Sequence, residues 1–284
     1  MKLVRYGAPG REKPGMLDTQ GRIRDLSKIV PDIAGEVLSP KGLAKLRKLK
    51  PEKLPLVKGK PRLGPCVGKI GNIIGIGLNY SDHAAEAGMQ VPKEPIYFNK
   101  PVTAACGPND DTITPKESTK LDYEVELGVI IGSRARYLAK NKAMEAVAGY
   151  CLANDVSERY FQIERSGGQW GKGKGCETFG PLGPWFVTKD EIRDPQRLDM
   201  WLTVNGETRQ KGTTATMVFG VAHLVWYCSQ FFVMEPGDVI ITGTPPGVGM
   251  GIKPVPKFLK PGDMVRLGID GLGEQQQKIV KFKM

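Results

Sequence analysis

Short apolar runs separated by turns dominate the hydrophobic pattern from residue 71 onward. NIIGIGL (72–78), VELGVIIG (125–132), YCLAND (150–155), WLTVNG (201–206), DVIITG (238–243), MVRLGID (264–270) and QKIVKF (277–282) all have strand length, with Gly, Pro or Asn-Gly turns between them. Before residue 71 the pattern is different. MKLVRY and the turn-broken GMLDTQGRIRDLS alternate as short strands, and Pro51, Pro55, Pro61 and Pro65 punctuate the exit. This layout predicts a small N-terminal accessory domain over 1–70 and a larger domain over 71–284 that carries the chemistry.

Helical signals are fewer. They fall at about 81–87, at about 140–148 before Gly149, at about 157–165 and at about 216–230, where Val218, Val221, Leu224, Val225 and Tyr227 recur at helical spacing. PKGLAKLRKLKP adds a short amphipathic helix, with Leu43, Leu46 and Leu49 three apart and a basic opposite face. Many short strands with few helices predict an α+β, β-rich fold, a mixed β-sandwich or roll rather than a doubly wound sheet.

Composition narrows the class. With 284 residues the chain can bury a proper core without disulfide or metal staples. Its 36 glycines and 22 prolines suit a turn-rich β protein. No stretch approaches the ~18 uncharged apolar residues of a membrane span. The N-terminus lacks the apolar run of a signal peptide, so a cytoplasmic protein that does not engage membranes is expected. Five cysteines, Cys66, Cys106, Cys151, Cys176 and Cys228, form no C-x-x-C pair, and their odd number argues for reduced thiols.

The net charge of +11 raises nucleic-acid binding as an option, but its distribution argues otherwise. Nine Lys/Arg against Glu52 lie between Lys41 and Arg62, leaving +3 for the rest of the chain. That segment has no aromatic residue to stack on bases, so a solvated face or attraction of small anions is expected, with no nucleic-acid partner.

The chemistry concentrates in four places. In DYEVELGVIIG, Glu124 and Glu126 sit inside an otherwise apolar run. Alternation along a strand puts both on one face about 6.5–7 Å apart, with Val125, Leu127 and Val129 facing the other way. Two carboxylates there are costly unless something positive meets them, whether a divalent cation, arginines or solvent. A third acid, Asp155, ends the strand of YCLAND. Three carboxylates without Cys or His clusters suit a hard, oxygen-seeking ion, Mg²⁺ or Mn²⁺. In NYSDHAAEAG, His83 and Glu86 lie three apart on a helix, in outline a general base and its orienting carboxylate, the alternative being a surface histidine.

The loop GGQWGKGKGCETFGPLGPW delivers Lys172 and Lys174, either as solvated lysines or as a cation beside a developing oxyanion. Its near match to a phosphate loop fails at Gly175, where Ser or Thr would be needed. Finally, the glycines of ITGTPPGVGMG (241–251) either bring backbone N–H groups to an anionic ligand or form a plain turn.

Together, GLNYSDHAAE, YFNKP, DYEVELGVIIG, GYCLANDVSERYFQ, GKGCETFGPLGP, PGDVIITGTPPGVG and FLKPGDMVRLGIDGLG resemble the fumarylacetoacetate hydrolase family across roughly 70–280. Within it, the chain looks most like the branch hydrolysing 2,4-diketo-3-deoxy-L-rhamnonate or L-fuconate, an acylpyruvase-type reaction. The resemblance implies a homodimer with Mg²⁺ on Glu124, Glu126 and Asp155, a His83–Glu86 dyad on a lid, and Lys174 at the oxyanion. It further implies substrate contacts at Lys100, Arg159, Gln162 and Thr244. Glu177 stands where members often have Asp, and Cys176 replaces a bulky residue. The implied activity is metal-dependent hydrolysis of a C–C bond in a small diketo acid, giving pyruvate and a second acid. Oxaloacetate decarboxylases and the isomerase/decarboxylases of aromatic catabolism share the scaffold.

Overall fold

The computed structural model describes residues 1–86 and 90–283, and of residues 83–85 the backbone alone. Two sheets organise them. The larger has nine strands, in the order Ile23–Asp25, Lys13–Leu17, Lys2–Tyr6, Phe186–Thr188, Val147–Asn154, Val125–Ile131, Val239–Ile241, Ile73–Gly77 and Ile96–Lys100. Its neighbours are antiparallel except Val239–Ile241 beside Ile73–Gly77. The smaller sheet runs Glu207–Thr213, Asp199–Val204, Met264–Ile269, Gly273–Lys281 and Thr112–Thr114, with the last pair parallel. This is the β-rich α+β architecture that the short apolar runs predict.

The central strand Val125–Ile131 is buried at every position because both faces are covered. Val125, Leu127, Val129 and Ile131 enter a core shared with Leu202, Leu267 and Ile279 of the smaller sheet. Ile130, on the opposite face, packs in a second core with Leu3, Met16, Leu38, Leu43 and Leu46. The three N-terminal strands therefore extend the large sheet, and the segment behind them roofs it. The helix Pro40–Arg47 starts where Ser39 accepts the Gly42 N–H at 3.0 Å, buries Leu43 and Leu46, and turns its basic residues outward.

Three helical expectations change. Residues 140–148 form a 3₁₀ segment over Lys140–Glu145, and Val147 instead opens a strand paired with Ile131, since sheet pairing outweighs local helix preference. In 157–165, Ser157–Glu158 are extended and a π-helical turn follows over Tyr160–Glu164. The C-terminal helix is limited to Val221–Ser229, starting after extended Gly220. No helix among the described residues is long and apolar enough to cross a membrane.

Candidate active site

Sheet register builds the site. Val125–Ile131 and Val147–Asn154 run antiparallel with Glu126 opposite Ala153 and Val125 opposite Asn154. Asp155 leaves the end of one strand beside Glu124, which precedes the start of the other. Glu124 therefore sits at a break before the strand rather than within it. Carboxylate oxygens of Glu124, Glu126 and Asp155 all lie within 4.8 Å of one another, and all three residues are buried.

Cations enclose this cluster unevenly. Lys174 Nζ donates to Glu124 Oε2 at 2.8 Å and to Asp155 Oδ2 at 2.6 Å. Lys100 Nζ donates to Asp155 Oδ1 and to the Val156 carbonyl. Arg159 bridges Asp122 Oδ2 at 2.8 Å and Glu124 Oε1 at 2.6 Å, and its third nitrogen donates to Gln162 Oε1 at 3.0 Å. Among the described residues no cation forms an ion pair with Glu126, which accepts the Gly243 N–H at 2.8 Å. Among the described residues of this cluster, four carboxyl groups face three cations, leaving one carboxyl in excess.

The ionisation of these groups follows. Burial, then the charges of Asp155 and Glu124, push the Glu126 carboxyl well above the usual carboxylate range. Burial alone would lower both lysines. At Lys174 the attraction of Asp155 and Glu124 outweighs it and holds the ammonium above the usual range, whereas at Lys100 burial wins, helped by the charge of Lys174. Arg159, desolvated but clasped by Glu124 and Asp122, is held further still in its charged form.

A cavity of about 270 Å³ opens above the cluster, lined among others by Glu86, Glu124, Arg159, Gln162, Lys174 and Thr244. The π-helical turn aims Gln162 into it, a backbone irregularity often found at functional sites. Lys100 lies behind this lining, and Lys172 is exposed away from it. Glu86, at the end of the helix Ser81–Glu86, reaches the cavity and accepts the Gly247 N–H at 3.0 Å. The side chain of His83 lies outside the described residues.

Two features escape local sequence reasoning. The glycine loop does not offer its amides to a ligand: Gly243, Gly247 and Gly249 N–H groups go to Glu126, Glu86 and Asp122. Asp122 is the second. Fully buried, it ties Arg159 to the loop through Gly249 and Met250 N–H groups at 2.6 and 3.1 Å. Its two-residue spacing from Glu124 is a visible signal, but its partners lie far along the chain.

The donor set suits a divalent cation. It offers three buried carboxylates, all oxygen donors, and among the described residues no cation forms an ion pair with one of them, Glu126, whose charged form burial disfavours until a cation arrives. Residues 72–280 match the family described as fumarylacetoacetate (FAA) hydrolase C-terminal. The chain belongs to the fumarylacetoacetate hydrolase family.

Its family relatives span the whole molecule. A Burkholderia cenocepacia protein whose name goes no further than hydrolase is 65% identical over 277 residues, 98% of each chain. Among solved structures, fumarylacetoacetate hydrolase from psychrophilic Exiguobacterium antarcticum is 33% identical with a TM-score of 0.84, covering 99% of this chain and 100% of that one. Maleylpyruvate hydrolase from Sphingobium sp. SYK-6, in complex with manganese(II) and pyruvate, is 27% identical with a TM-score of 0.81 over 100% of both. The 5-carboxymethyl-2-hydroxymuconate delta-isomerase from Mycobacterium smegmatis is 29% identical with a TM-score of 0.76, again over 100% of both. The family thus places the chain among hydrolases and isomerases, some of them acting on keto acids.

Proposed function

We propose that this protein is a divalent-metal-dependent hydrolase that cleaves the C3–C4 bond of a 2,4-diketo acid, an acylpyruvate or a sugar-derived relative, to pyruvate and a second acid. The observation that carries this reading is the convergence of Glu124, Glu126 and Asp155 beneath a cavity, with Glu126 in no ion pair among the described residues. The maleylpyruvate hydrolase holding manganese(II) and pyruvate supports it.

Bound on the three carboxylates, Mg²⁺ or Mn²⁺ would supply Lewis acidity and a template for the α-keto acid end. Lys174 stabilises the negative charge that develops on the C4 oxygen. His83 takes a proton from water, whose oxygen bonds to C4, and general-base help of this kind is worth about 10²–10⁴ in rate. The C3–C4 electron pair then passes to C3 and delocalises into the 2-oxo group. A proton returned to C3 completes pyruvate. Arg159, which donates to both Glu124 and Gln162, holds the cavity side of the substrate together with Gln162.

The isomerase neighbour favours a second reading in which the same acids would hold the cation, Lys174 would stabilise the negative charge that develops on the substrate, and no water attacks, as in isomerisation or decarboxylation. One assay separates them. Chelator-stripped protein re-supplied with Mg²⁺ or Mn²⁺ should release pyruvate from acylpyruvates, and His83→Ala should slow that release strongly. Release of pyruvate only by decarboxylation of oxaloacetate, indifferent to His83→Ala, would select the second reading. No metal-dependent turnover of any keto acid would reject both.

A further inference from the structure

Beyond the carboxylates the cavity wall becomes aromatic. Lys174 Nζ, bonded to Glu124 and Asp155, lies 5.1 Å from the centroid of the Phe98 ring. That ring packs against Trp170 with centroids 5.6 Å apart and planes at 58°. The strand Ile73–Gly77 makes room for both. A Cβ on Gly75 would come 2.2 Å from the Phe98 ring, and one on Gly77 would come 2.3 Å from the Trp170 ring. Both rings therefore lie against bare backbone, and Ile76, Leu78, Val248 and Met250 extend the apolar lining.

The polar side chains on the lining are largely engaged already. The Thr244 hydroxyl donates to the Val125 carbonyl and accepts from Gln210, Arg159 binds Asp122, Glu124 and Gln162, and Glu86 takes the Gly247 N–H. Among the described residues, none pairs with the exposed Lys253 of the lining, and none accepts from the Gln162 amide nitrogen beside Arg159. Hydroxyls of a polyol chain laid along Phe98 and Trp170 would lose water without replacement, at a cost that an alkyl chain does not incur.

Resting on the hydrolase reading above, we infer that the Phe98–Trp170 wall is the acyl-group specificity surface, selecting 2,4-diketo acids whose C4 substituent is apolar over hydroxylated, sugar-derived chains. The order of groups gives the orientation. The carboxylate floor takes the pyruvyl end, and the C4 substituent runs outward past Phe98 to Trp170.

The test compares kcat/KM of the Mg²⁺-loaded enzyme on acetyl-, butanoyl- and hexanoylpyruvate, maleylpyruvate, and a chain-matched hydroxylated 2,4-diketo acid. Burial of each methylene is worth about fourfold. Butanoylpyruvate should therefore exceed acetylpyruvate at least about tenfold, and the hydroxylated acid should fall at least about tenfold below its alkyl counterpart. Trp170→Ala should cost hexanoylpyruvate at least about tenfold more than it costs acetylpyruvate, with Phe98→Leu as a second variant reading the same ratio. A flat alkyl series, a preference for the hydroxylated or dianionic acid, or equal losses on all substrates in both variants overturns the inference while leaving the hydrolase reading standing. Absence of pyruvate from every substrate removes that reading, and this inference with it.

Discussion

The backbone N–H of Asp155 donates to the carbonyl of Glu124 at 2.9 Å. This single hydrogen bond clasps the exit of one central strand to the entrance of its antiparallel neighbour. It fixes acids 31 residues apart in sequence so that their side chains can share Lys174. Because the clasp is main-chain, substituting either carboxylate should alter charge while preserving register.

Metal affinity follows from that separation of roles. Glu126→Gln keeps the shape and the acceptor for Gly243 N–H but removes the group that can ionise to bind a cation. Calorimetric titration of chelator-stripped protein with Mn²⁺ should show binding weakened at least about tenfold, within the range seen when groups around metal sites are altered. A cation present at a hundredfold its Kd adds about 2.7 kcal/mol to wild-type stability, so the thermal midpoint should rise with metal in the wild type and little in the variant. His83→Ala should retain wild-type metal affinity. Equal loss in both variants would show that the roles are misassigned.

Asp122 should matter more to the framework than its distance from the acid trio suggests. It accepts from Arg159, Tyr123, Gly249 and Met250, and it is fully buried. Removing one member of a buried ion pair costs about 3–5 kcal/mol because the partner charge stays desolvated. Urea unfolding of Asp122→Ala should show a loss of that order, with Asp122→Asn intermediate. A change under about 1 kcal/mol in Asp122→Ala would mean that Arg159 finds other partners at little cost.

Much of this architecture was legible in the sequence because central strands cannot hide. A run such as VELGVIIG is apolar on both faces, and acids embedded in it carry a desolvation penalty that calls for converging positive charge. The strands Ile96–Lys100 and Glu207–Thr213 gave no such signal. Both lie at sheet edges, where side chains meet water and the apolar count falls. Val147 carried a helical pattern locally but joined Ile131 in the sheet. The glycine loop was readable as a loop, but not as one whose amides turn inward to Glu126, Glu86 and Asp122. Those partners lie more than 100 residues away, beyond any local spacing rule. Arg159 and Gln162 came from family resemblance rather than from pattern, since a π-helical turn has no simple hydrophobic period.

Gly75 tests how tightly the aromatic wall is seated. A methyl group there would overlap the buried Phe98 ring, which is confined by Trp170 on one side and Lys174 on another. Forced overpacking of this kind costs about 1–3 kcal/mol. Gly75→Ala should lower the urea midpoint accordingly, and the same substitution in a Phe98→Ala background should cost less, because the clash has been vacated. An equal cost in both backgrounds would place the strain elsewhere on the strand.

His223 provides a pH response independent of the acid cluster. Its ring stacks on Phe219 at 5.0 Å and meets Trp226 edge-on at 5.3 Å, while the Lys140 ammonium sits over the Trp226 ring and Tyr227 donates to Glu94 nearby. Burial, then the charge of Lys140, lowers the His223 pKa below the 6.5 of an unperturbed histidine. The sign follows from linkage. As pH falls through 6.5 the unfolded chain takes up its proton first, so stability contributed by the neutral ring is present above that pH and declines toward the folded-state pKa. His223 is one of two histidines in the chain, so a His83→Ala background leaves a single imidazole resonance to follow by NMR. Its midpoint should fall below 6.5, and His223→Phe should flatten the change in urea midpoint between pH 7.5 and 5.5, about one unit either side of an ordinary histidine. A midpoint above 6.5 would reverse the sign and place an uncompensated negative charge beside the ring.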